Sequence, residues 1–194
     1  KTEWRVSLCS YAIADHGYEE DDFLLGFAES TFRQGKYSDV MLIYLCKYFN
    51  GPTKQMAELW KAAGEFQIDT FDLEERILTQ MLYTTDYTPH MEEIYESYCA
   101  GGGRDLVCMA YLSYFANMYL TEDAVVPEHV FRQIRERYLT GGDLNRVCRI
   151  ALLKYLSENH LSERDRKIAD ELLDTCIRHN LYFAFFRKFD EKLL

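Results

Sequence analysis

Residues Leu106–Leu120, LVCMAYLSYFANMYL, run for fifteen positions without a charge, and Asn117 is their one strongly polar side chain. A helix that is apolar on every side is normally wrapped by other elements or by lipid. At ~1.5 Å per residue this one spans roughly 22 Å, short of the ~30 Å hydrocarbon core of a bilayer. It therefore reads as a buried helix of a soluble fold, with helical neighbours on more than one side. No membrane span is expected.

Those neighbours recur along the chain. A helical pattern closes on an aromatic or aliphatic residue, two more residues follow, and then comes one that tolerates a left-handed backbone. The pattern reads Phe32-Arg-Gln-Gly35, Phe66-Gln-Ile-Asp69, Tyr98-Cys-Ala-Gly101, Tyr138-Leu-Thr-Gly141 and Ile177-Arg-His-Asn180. Gly, Asn and Asp enter positive φ at the least steric cost, which is how many α-helices end. A charge-poor segment follows each of them: Val40–Phe49, Phe71–Tyr83, Leu106–Leu120, Val147–Leu156 and Leu181–Phe189. Between each of these and the next terminator lies a more polar, amphipathic segment with start signals of its own. Pro52, Pro89 and Pro127 stand at the first helical position, where a missing N–H does no harm, and Ser162-Glu-Arg-Asp165 is close to a capping box. At the N-terminal end, Trp4, Leu8, Tyr11 and Ala12 make a helical stripe. The acidic run Glu19–Asp22 suits the N-terminus of the next helix.

The expectation is an all-α chain: an α-α superhelix, or solenoid, of about five hairpins. The hairpins fall near 3–34, 38–67, 70–100, 104–140 and 143–179, with a final helix at 181–192. Helix pairs repeating every 32 to 40 residues suit stacking, because one pair cannot cover both sides of an apolar helix. No strand pattern competes, and 1–194 reads as a single domain cut from a longer chain.

The segment Thr31-Phe32-Arg33-Gln34-Gly35-Lys36-Tyr37 resembles the end of one tetratricopeptide repeat and the start of the next. That resemblance implies a right-handed superhelix and a protein-binding role. The first helices of the pairs lack the family's Trp-x-x-Leu-Gly-x-x-Tyr run, so the residues lining a groove do not carry over. In texture the chain is also similar to internal segments of large bacterial helical-repeat proteins of gut Firmicutes.

Net charge is −10, and residues 1–100 carry all of it, with 18 acidic and 8 basic side chains. Binding to a phosphate backbone comes from neutralising phosphates, so nucleic acid is a poor partner for this chain. The six cysteines form no C-x-x-C, and no Cys/His group has zinc-ligand spacing. Most sit in apolar helical patterns, where a thiol acts as a small hydrophobe, and a reducing, cytoplasmic setting is expected. The 15 Tyr and 12 Phe read chiefly as packing between helices, with some left to line a groove.

Tests for chemistry return little. No Glu-x-x-His or His-Glu-x-x-His occurs, and His90 and His129 read as polar residues in the first turns of helices. Adjacent acids such as Glu74-Glu75 read as a solvated helix face. Gly101-Gly102-Gly103-Arg104 reads as a helix end with slack, able to hinge. No catalytic residue, metal site or cofactor is expected. Arg132, Arg135, Arg137, Arg146 and Arg149 form a basic group, of which Arg132, Arg135, Arg146 and Arg149 are the candidates for holding an acidic peptide or carboxylate. Their other use is pairing with Glu136, Asp143 and the acidic N-terminal half of the chain, or with a neighbouring copy. The function expected is a non-catalytic scaffold for a protein or peptide partner. The alternative is an all-helical enzyme or small-ligand domain with a pocket between helices.

Overall fold

The computed structural model describes residues 3–84, 88–122, 124–159 and 162–178. Among them are ten α-helices and no strand. They are α1 (Glu3–Asp15), α2 (Asp22–Phe32), α3 (Asp39–Tyr48), α4 (Thr53–Glu65), α5 (Phe71–Met81), α6 (Met91–Ala100), α7 (Asp105–Thr121), α8 (Glu128–Leu139), α9 (Arg146–Glu158) and α10 (Glu163–Arg178). None is long and apolar enough to cross a membrane. The expected final helix 181–192, the terminator Asn180, and His160 and His179 lie outside the described residues. The chain divides into two compact units, residues 1–108 and 109–194.

In the first unit each of α1 to α5 packs on the helix that follows it, and α1 also meets α3, as α3 meets α5. Cys9 and Ile13, Leu24 and Ala28, Met41, Leu42 and Leu45, Met56 and Leu59, Leu73 and Ile77, and Ile94 are the buried apolar contributions of the six helices in order. Tyr44 and Tyr48 of α3 anchor the α1–α2 turn. The Tyr44 hydroxyl accepts Asp21 N–H at 2.9 Å and lies 3.2 Å from the Glu19 and Asp21 carbonyls, while Tyr48 donates to Tyr18 O at 2.9 Å. Arg76 of α5 donates to the carbonyls of Cys46, and of Lys47 at 2.8 Å, closing the C-terminus of α3, where cations are favoured.

In the second unit α9 packs on both α8 and α10. Phe131 stacks on Tyr155 at 4.1 Å between ring centres, and Tyr119 meets Phe131 edge-on at 4.8 Å. Lys154 of α9 donates to Tyr119 O at 3.1 Å and closes the end of α7, as Arg76 closes α3. Of the charge-free stretch, Tyr111, Leu112, Phe115 and Ala116 are buried, but Asn117 is exposed and Leu106 is 80% exposed. The stretch is therefore not covered on every side.

Four helices end in the same hydrogen-bonded turn. After α1, α4, α6 and α8, an N–H bonds back across five residues (Tyr18 to Ile13 O, Ile68 to Ala63 O, Gly103 to Tyr98 O, Gly142 to Arg137 O). The preceding N–H closes a shorter ring inside it. This is the Schellman geometry, which requires one left-handed residue. Here these are Gly17, Gln67, Gly102 and Gly141, at φ +65°, +56°, +83° and +73°. Gly141 and, after α2, Gly35 take the left-handed angle that their pattern predicts. Asp69 and Gly101 do not, because the left-handed position is set by where the helical ladder stops, and that is one or two residues away from each.

Helix starts shift in the same small way. Asp21, Ser38 and Asn145 cap α2, α3 and α9 by accepting the N–H three residues on. Ser162 accepts Asp165 N–H at 3.2 Å, as its capping-box pattern predicts. Pro52 and Pro127 sit at the cap, one residue before the first helical position. Pro89 is further out, since α6 begins at Met91 after a left-handed His90.

Candidate functional site

On α5 the residues Leu73, Glu74, Ile77, Leu78 and Met81 form the buried face. Glu74 therefore occupies a core position on a 3.6-residue stripe, and it is buried. A buried carboxylate needs hydrogen-bond partners, and three converge on its Oε1. These are Trp60 Nε1 from α4 at 2.8 Å, Thr70 Oγ1 from the α5 cap at 2.9 Å and Ser97 Oγ from α6 at 2.8 Å. The first turn of α5 adds the favourable end of its dipole. His90 lies against Trp60, with ring centres 6.2 Å apart, and pairs with Glu93 at 3.1 Å.

Glu75, one step round the helix, is held separately. The Tyr98 hydroxyl donates to Oε2 and the Arg104 guanidinium straddles both oxygens. The Tyr98 hydrogen bond, followed by Arg104, holds the Glu75 carboxyl below its ordinary range. The reading of Glu74-Glu75 as a solvated face is thus corrected. The signal was present, since Glu74 stands four residues after a Thr on an apolar stripe.

Among the open clefts of the first unit, two share a row of aromatic rings. One, of about 250 Å³, is lined by α2, α3 and α4, with Phe32, Tyr37, Phe49 and Leu59 among apolar residues and Glu29, Arg33, Gln55 and Glu58 among polar ones. Arg33 crosses it, paired with Glu29 and 3.1 Å from Gln55 Oε1. The other, of about 660 Å³, is lined by Asp39, Ile43, Cys46 and Lys47 of α3, by the α4–α5 turn from Phe66 to Asp69, and by Phe71 and Asp72. Ile43 and Phe66 are exposed there. Aromatic rings join the two clefts, with Phe32 5.4 Å from Tyr37 and Tyr37 6.1 Å from Phe66.

The predicted stripe on α1 faces outward. Trp4 is 56%, Leu8 48% and Tyr11 70% exposed, while Cys9 and Ile13 turn into the core. In the second unit His129 stands in the first turn of α8, as its sequence position predicts, and it is buried there, sharing a hydrogen bond of 2.8 Å between its Nε2 and the Tyr111 hydroxyl.

The basic group is engaged within the protein. Arg135 pairs with Asp165 at 2.6 Å, and Arg149 donates to Leu144 O at 2.9 Å. Arg132 and Arg146 are exposed on α8 and α9 and also make contacts of their own. Asp165 is held below its ordinary range by Ser162 first and Arg135 second. Among the described residues, no three His, Cys, Asp or Glu side chains gather as they do round a metal ion.

These features define an all-helical protein of successive hairpins in which the buried Glu74 and the half-buried Glu75 and Asp165 tie helices together. The chain belongs to the family described as "Family of unknown function (DUF5717), C-terminal", which it matches over residues 21–194. No tetratricopeptide or other repeat family is detected. No curated protein matches the chain, and no solved structure does.

Proposed function

We propose that this chain is a non-catalytic protein-interaction scaffold whose first unit takes a peptide segment carrying apolar and basic side chains. The observation that carries the reading is the row of rings Phe32, Tyr37 and Phe66 joining two open clefts. Rigid aromatic side chains present large contact areas with little rotamer entropy to lose, and they are enriched among the residues that dominate binding. Glu29, Glu58, Asp39, Asp69 and Asp72 line the same clefts, against Arg33 and Lys47. A basic segment complements that excess of acid. Phe32 and Tyr37 also belong to the segment that resembles a tetratricopeptide junction. In this reading Arg135 and Arg149 act as internal braces, and the setting is cytoplasmic.

An array of peptides varied in charge and apolar content, probed with the purified chain, tests the proposal. Peptides combining Leu or Phe with Lys or Arg are expected to bind. Phe66→Ala or Tyr37→Ala should weaken them roughly tenfold or more, with the helical content unchanged. If no peptide binds, or if binding ignores both substitutions, the proposal fails. Preference for acidic peptides, lost on replacing Arg132 or Arg146, would move the docking surface to the second unit.

A further inference from the structure

Cys99, the second-last residue of α6, and Cys108, in the first turns of α7, point at each other with their Sγ atoms 2.7 Å apart. That is closer than unbonded sulfurs rest and longer than the ~2.05 Å of a bond. Eight residues separate them, and their geometry leaves little freedom. Gly102 holds the left-handed position of the Schellman turn at φ +83°. Gly103 is packed so tightly that a Cβ would stand 2.4 Å from the Tyr98 ring and 2.6 Å from its carbonyl oxygen. Arg104 N–H donates to the Tyr98 hydroxyl at 3.2 Å, and its side chain is tied to Glu75. The turn read from sequence as slack is braced from three sides.

We infer that Cys99 and Cys108 are a thiol–disulfide exchange site, closed by reaction with a low-molecular-weight disulfide such as oxidised glutathione. Cys99 is part-exposed and Cys108 is buried, which sets the order of events. The Cys99 thiolate attacks the small disulfide, forming a mixed disulfide and releasing one thiolate. The Cys108 thiolate then attacks Cys99 Sγ, forming the internal bond and releasing the second. Two protein thiols are oxidised, one small disulfide is reduced to two thiols, and reduced glutathione reverses the sequence. Cys108 is buried too, but it meets only the mixed disulfide already held at Cys99. The other four cysteines must meet the small disulfide themselves, and burial pushes their thiols up, Cys9 to about 11 and Cys46 to about 12. Thiolate chemistry there is suppressed. In a reducing compartment such a pair is transient and responsive, unlike the permanent bridges of secreted domains.

Trypsin separates the two residues, since cleavage after Arg76, Arg104 and Arg132 puts Cys99 on peptide 77–104 and Cys108 on peptide 105–132. The chain is equilibrated under native conditions in glutathione buffers from reducing to oxidising, its free thiols are alkylated in denaturant, and the digest is weighed. The expected dominant product is the 77–104 and 105–132 pair joined and two hydrogens lighter. It should vanish in Cys99→Ser and in Cys108→Ser and persist in Cys46→Ser. In wild-type protein unfolded by urea, where only chain proximity acts, the joined fraction at the same buffer ratio should drop roughly tenfold or more. This comparison needs no variant to fold. Glutathione retained on Cys99 without closure, linkage spread over the other cysteines, or equal closure in urea would each overturn the inference.

Discussion

The indole N–H of Trp60 on α4 donates to Oε1 of Glu74 on α5 across 2.8 Å, inside the first unit. With Thr70 and Ser97 on the same oxygen, one carboxylate joins three consecutive helices. Removing the acceptor strands three donors, whereas removing one donor leaves two. Glu74→Leu is therefore expected to lower stability by about 2–4 kcal/mol, Trp60→Phe by about 1.5–3 and Glu74→Gln by about 1, because the amide still accepts. Urea unfolding followed by circular dichroism measures all three. Equal losses for Gln and Leu would mean that the hydrogen bonds do not matter.

Acid should find the Glu75 network. Its carboxyl is depressed by the Tyr98 hydroxyl and then by Arg104. A depressed carboxyl contributes stability that is complete above its unfolded value of ~4.3 and is lost as pH falls through its folded value. Glu75→Gln is expected to remove that loss, so the variant's unfolding midpoint changes less than wild type's between neutral pH and about pH 3. Parallel curves for the two proteins would refute it.

Two glycines should respond in opposite directions to Ala. At Gly103 a Cβ meets the Tyr98 ring and carbonyl, and the expected loss is about 1–3 kcal/mol. Gly26 lies mid-helix in α2 with nothing within 4 Å of its Cβ position. Gly26→Ala should stabilise by about 0.5–1 kcal/mol, since it removes unfolded-chain entropy. Thermal unfolding of the pair decides it, and the same sign for both would contradict the packing described.

Gln67 holds a left-handed backbone at φ +56° in a turn where three other helices use glycine. Gln67→Gly is expected to gain up to about 1 kcal/mol, and Gly141→Gln to lose a similar amount. If both destabilise, the Gln67 side chain contributes more than its backbone strain.

The helices and many of their caps were legible in the sequence because their causes are local. The acid at position 21 accepts the N–H of Leu24, and Ser162 that of Asp165. The glycines at 35 and 141 take the backbone angles that other residues resist. Such effects act within a turn or two of chain, and residue type alone decides them.

Which face turned inward was not legible, and the tertiary structure decided it. On α1 both Trp4-Leu8-Tyr11 and Cys9-Ile13 keep helical spacing, and only the placement of α2 and α3 chose the smaller pair for the core. Glu74 and Glu75 differ by about 100° of rotation, so identical neighbours received opposite surroundings. One is met by donors 14 and 23 residues away, the other by Tyr98 and Arg104. The aromatic row and the facing thiols have the same origin. Periodicity fixes which residues share a side of a helix, but the free energy of burying that side depends on what packs against it, and that is settled only when distant segments meet.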